Sequence, residues 1–75
     1  MRAIAEESYK GRKAQVEMVV EMAAVENRHL TAALFDAGIL ADIGDMAEAK
    51  RLITEASRHH SELGRLLEQA GQFLD

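Results

Sequence analysis

The sequence contains no cysteine, no proline and no tryptophan, and its aromatic residues are one tyrosine and two phenylalanines. Without cysteine there is neither a disulfide staple nor a thiolate metal site, which excludes a secreted cystine scaffold and a zinc ribbon. No run of 18 apolar residues occurs, so no membrane span is expected. The opening Met1-Arg2-Ala3-Ile4-Ala5-Glu6-Glu7 carries charge too early and too evenly for a signal peptide, and a cytoplasmic location is the expectation by default. There is no basic excess. The net charge of −4, with both signs interspersed, is unlike the basic stripe of a nucleic-acid binder. The one basic run, Lys10, Arg12 and Lys13, reads as a solvated helix face. No glycine-rich phosphate loop and no sustained period-two alternation are found, so neither a nucleotide cradle nor a β-strand is expected.

What remains is rich in Ala, Glu, Leu, Met, Arg and Lys, the residues that lose least on entering a helix. Two apolar stripes at helical spacing run through it. The first is Tyr9, Val16, Val19, Ala23, Leu30, Ala33, Ala37 and Leu40; the second is Ala49, Leu52, Ala56, Leu63, Leu66, Ala70 and Phe73. They are separated by Gly44-Asp45, where Asp45 is suited to cap a helix and Glu48, three residues on, completes a capping-box pattern. Gly38 lies inside the first stripe, which keeps register to Leu40, so the helix is expected to run through it. The fold class expected is all-α. It is a single long antiparallel hairpin of helix from about 3 to 42, turn 43–45 and helix from about 46 to 73. Folding at Gly44 pairs Ala37 with Ala49, Leu34 with Leu52 or Ile53, Ala23 with Leu63, and Val19 or Val20 with Leu67.

Each stripe has one ionisable interruption, Glu26 in the first and His59 in the second. The fold brings Glu26 opposite His59 and His60 as a buried polar layer. Residues 16 to 25, Val-Glu-Met-Val-Val-Glu-Met-Ala-Ala-Val, carry more apolar surface than one partner helix can cover. A 75-residue chain is also close to the size at which one core is only marginally sufficient. A shared core is therefore expected: a homodimer forming a four-helix bundle, or association with another helical protein, through Val16, Met18, Val19, Met22, Val25, Phe35 and Ile39.

Glu26 and His29 form a Glu-x-x-His pair whose spacing lets both side chains reach one site. In this the chain resembles half of a ferritin-like bundle. The resemblance implies an iron or manganese site shared across a homodimer, built from Glu26, His29, His59 and the flanking carboxylates Glu55 and Glu62. The expectation preferred on the residues themselves is that Glu26 is a structural partner of a histidine and that no cofactor is bound. The run Arg58-His59-His60-Ser61-Glu62 invites comparison with a phosphoacceptor histidine, but sensor-kinase hairpins carry theirs on the first helix, followed by a proline that this chain lacks. A hairpin of this size offers no oxyanion hole, so no enzyme is expected. The leading expectation is a small non-enzymatic interaction module acting as adaptor, co-chaperone or regulator. The metal-binding half-bundle is the alternative.

Overall fold

The computed structural model describes residues 2–74, with side chains described for residues 10–74; the side chain of Tyr9, counted in the first stripe, lies outside the described residues. Two helices, α1 (Arg2–Asp42) and α2 (Met46–Leu74), pack along one another as a hairpin. The molecule is a rod of 64 × 13 × 11 Å. Both helix boundaries lie within a residue of the sequence expectation. Helix-forming residues fill both arms and only the Gly44-Asp45 pair punctuates them.

The turn has a definite mechanism. Gly44 adopts φ = 90°, a left-handed conformation that costs a residue with a Cβ about 1–2 kcal/mol. That conformation turns two backbone donors back onto the end of α1: Asp45 N donates to Leu40 O at 2.9 Å and Gly44 N to Ala41 O at 3.1 Å, the two bonds of a Schellman motif. Asp45 Oδ1 then accepts from Glu48 N at 3.2 Å and caps α2. Only half of the expected capping box forms, because Asp45 N is already committed to Leu40 and the Glu48 carboxylate accepts from Arg51 Nε at 2.7 Å. Gly38 lies inside α1 with open space where a Cβ would stand. Opposite outcomes are therefore expected at the two glycines. Gly38→Ala should raise stability by about 0.5–1 kcal/mol through helix propensity, while Gly44→Ala should lower it by about 1–2 kcal/mol. Thermal melting of the two variants at one protein concentration checks this, and the same sign at both would be incompatible with the turn described.

The seam is built mainly from small residues. Among the described residues the buried apolar set is Val19, Leu66 and six alanines: Ala23, Ala33, Ala37, Ala49, Ala56 and Ala70. Alanine lets helices approach closely, but it removes little apolar surface from water. Toward the open end, Val19, Ala23, Leu66 and Ala70 form one cluster, with Leu63 and Phe73 packed against it.

The structure corrects several expected pairings. Val19 enters the seam at 3% exposure, whereas Val20 stays 50% exposed. Leu34, Ile53 and Leu67 are also more than half exposed. A two-helix seam takes about two positions in seven, and Leu34, Ile53 and Leu67 stand at positions flanking it, which no third helix covers. Val19 is thus used within the hairpin and is not available for association, contrary to the interface expected of it. Val16 is half-buried beside Phe73, where they line a shallow cleft with Arg12, Lys13, Glu17 and Leu74.

Candidate functional site

Halfway along the rod the alanine seam is interrupted. Glu26 on α1 and His59 on α2 meet across it, with Glu26 Oε2 2.6 Å from His59 Nδ1. Both side chains are partly exposed, 24% for Glu26 and 32% for His59, so the layer is half-buried rather than sealed. His29 stands one turn beyond Glu26 on α1, and its ring lies edge-on to that of His59, with centroids 5.2 Å apart and planes inclined at 62°. One ligand-type atom from each of Glu26, His29 and His59 lies within 4.8 Å of the others. His60 takes no part: it is exposed, because its position next to His59 turns it to the outside of α2.

Glu55 and Glu62 lie one turn to either side of His59 on α2 and do not join the cluster. Glu55 accepts from Arg51 Nη1 at 2.9 Å and Glu62 from Arg65 Nε at 3.0 Å. The hydrogen bond from Arg65 holds the Glu62 carboxyl below the usual carboxylate range, and Arg51 does the same for Glu48. These arginines form a charged border along the edge of α2 that faces the His29 side of α1; a shallow groove lined by Asp36, Ile39, Leu40, Glu48, Arg51 and Leu52 marks where the two edges meet.

Above that border, α1 presents Met18, Met22, Val25 and Ile39, each 41–57% exposed. Their intervals of three, four and seven residues or multiples of seven keep them on one face, with His29, Ala32 and the charged Asp36 filling the positions between. Phe35, 70% exposed, flanks this face. The opposite edge carries a second stripe that the sequence reading missed. Met46, Ile53, Leu67 and Leu74 are all exposed and stand at seven-residue intervals, with His60 at the remaining position. That repeat was legible in the sequence. The expected pairing obscures it, because that pairing places Leu67 in the seam and allows Ile53 there in place of Leu52.

The Glu26–His59 pair makes a specific energetic prediction. Glu26→Leu should destabilise by about 1–3 kcal/mol, the cost of leaving a half-buried histidine without its acceptor. Replacing Glu26 and His59 together by Leu should recover most of that loss, since polar pairs in a seam are costly to break and contribute little net over apolar replacements. Thermal melts of wild type, single and double variants decide it; a double variant no more stable than Glu26→Leu would remove the pair's structural role.

In comparisons with protein-family models, curated proteins and solved structures, nothing matches the chain. Among the described residues, no helix is long and apolar enough to cross a membrane.

Proposed function

We propose that this chain is a non-enzymatic helical interaction module that self-associates, a second copy covering the Met18–Met22–Val25–Ile39 face of α1 to complete a four-helix bundle. The observation that carries this reading is the contrast between seam and surface. Apart from Val19 and Leu66 the hairpin's buried set is alanine, while Met18, Met22, Val25, Phe35 and Ile39 of α1 are each more than 40% exposed. Exposed patches of this kind mark association surfaces, and methionine adapts readily to a partner's shape.

Area and charge favour a second copy as the occupant. The 29 residues of α2 span ~43 Å at 1.5 Å per residue, and two helices side by side are ~20 Å wide. A face-to-face contact would therefore cover ~800 Å² per copy, the size of a standard stable interface. The Arg51–Glu48–Glu55 and Arg65–Glu62 pairs beside the apolar face supply a polar rim of both signs, which a two-fold axis can set against itself. The Met46–Leu74 stripe on the other edge then remains for another helical chain, which suits an adaptor or regulator. The test is sedimentation of the wild-type chain over a concentration series. A dimer at micromolar concentration is expected, and a compact monomer throughout would remove the reading.

A further inference from the structure

We propose that Glu26, His29 and His59 bind one divalent first-row transition-metal ion, with a single hairpin supplying all three protein ligands. The cluster joins two helices at one level. Glu26 and His29 are three residues apart on α1, the spacing that aims two side chains at a common point, and His59 enters from α2 within hydrogen-bonding distance of Glu26. The three ligand-type atoms span no more than 4.8 Å. Protein nitrogen and oxygen ligands stand about 2.0–2.2 Å from such a cation, which sets them about 3.0–3.5 Å apart around it. The cluster is therefore within side-chain adjustment of a coordination sphere. The His29–His59 edge would close inward and the 2.6 Å Glu26–His59 contact would open slightly as its shared proton leaves.

The donor set selects the class of ion. Two imidazoles and one carboxylate suit zinc, cobalt, iron or nickel, whereas calcium and magnesium require oxygen ligands throughout. Exposure defines the access. Glu26 and His59 are anchored in the seam while His29 is exposed, so an ion can enter from the His29 side, where the sphere stays open for water or a further ligand. Glu55 and Glu62 are not needed, being paired with Arg51 and Arg65. The site is complete within one chain, so it stands or falls independently of self-association.

The experiment uses untagged, metal-stripped protein titrated with Zn²⁺, Co²⁺ and Mn²⁺ by calorimetry, with Co²⁺ also followed by its visible d–d absorption. One ion per chain is expected, with zinc bound at least tenfold more tightly than manganese, as the general order of divalent affinities requires. His29→Ala is the cleanest variant, because His29 is exposed and outside the Glu26–His59 hydrogen bond. It should weaken zinc binding by at least about 10-fold, since losing a ligand costs no less than disturbing the groups behind one, with helicity by circular dichroism unchanged. Glu26→Gln should weaken binding similarly. His60→Ala, outside the cluster, should alter affinity less than about threefold, in line with its place on the outer face. Absence of saturable zinc binding by wild type, unchanged affinity in His29→Ala, or an equal loss in His60→Ala would each overturn the proposal. Dimerisation measured on the same samples distinguishes its failure from that of the proposed association.

Discussion

Leu66→Ala is expected to cost about 2–5 kcal/mol, the range for emptying a buried leucine site, and to leave the chain largely unfolded near room temperature. Leu66 is 1% exposed and is the one large side chain fully buried among the described residues. It stands in the cluster with Val19, Ala23 and Ala70, flanked by Leu63 and Phe73. Those alanines have no reach with which to fill the space it would vacate. A small domain has only a few kcal/mol in reserve, so the loss approaches the whole. The neighbouring leucine is an internal control. Leu67 is 56% exposed, and Leu67→Ala should cost less than about 0.5 kcal/mol, as for surface positions in general. Urea or thermal unfolding of the two variants, at matched concentration because association shifts apparent stability, checks the pair. Equal losses would mean that the edge carrying Leu67 is covered in solution, and would move the self-association surface to the Met46–Leu74 stripe.

That neighbouring pair also shows what the sequence could and could not tell. The helices and their turn were legible because local chemistry decides them: helix formers fill both arms, no proline intervenes, and Gly44-Asp45 is, among the described residues, the one place where a left-handed residue and a cap stand together. The pairing of Glu26 with the His59–His60 level followed from counting outward from that turn. The heptad stripes name Val19 and Leu66, the members that the structure buries, whereas the pairing counted from the turn allows Val20 in place of Val19 and sets Leu67 opposite them. Val19 against Val20 and Leu66 against Leu67 are choices of about 100° of helix rotation, and both members of each couple are equally apolar. Stripe spacing decides them: Val19 stands four residues before Ala23 and Leu66 four before Ala70, on the face that the buried alanines define. The grouping of Glu26, His29 and His59 is already implied by the ferritin-like resemblance, which also sets Glu55 and Glu62 among them; the structure keeps the first three together and turns the two carboxylates to Arg51 and Arg65. A Glu-x-x-His pattern specifies a face of one helix, whereas the third member comes from the rotation of the other.

Met22→Glu should abolish the dimer while leaving the hairpin intact. Met22 lies on the exposed face of α1 and is not part of the hairpin's buried set, and glutamate is nearly as good a helix former as methionine, so the monomer's fold is undisturbed. In the dimer the substitution has two costs. Burial of a methionine side chain, worth about 1.5–3 kcal/mol, is lost, and a carboxylate without a partner is brought into an apolar contact. A two-fold interface contains every substitution twice. A combined loss of at least about 4 kcal/mol follows, and at 1.4 kcal/mol per tenfold the dissociation constant should rise about a thousandfold or more. Glu21→Lys, on the polar side of the same turn, should change it by less than about threefold, the scale of a rim charge outside specific pairs. Leu67→Glu, on the opposite edge, should leave the dimer in place. Sedimentation of the three variants beside wild type decides among the faces. Loss of the dimer with Leu67→Glu and not with Met22→Glu would place the second copy on the Met46–Leu74 edge. Equal losses with Met22→Glu and Glu21→Lys would show that the contact does not depend on an apolar face of α1.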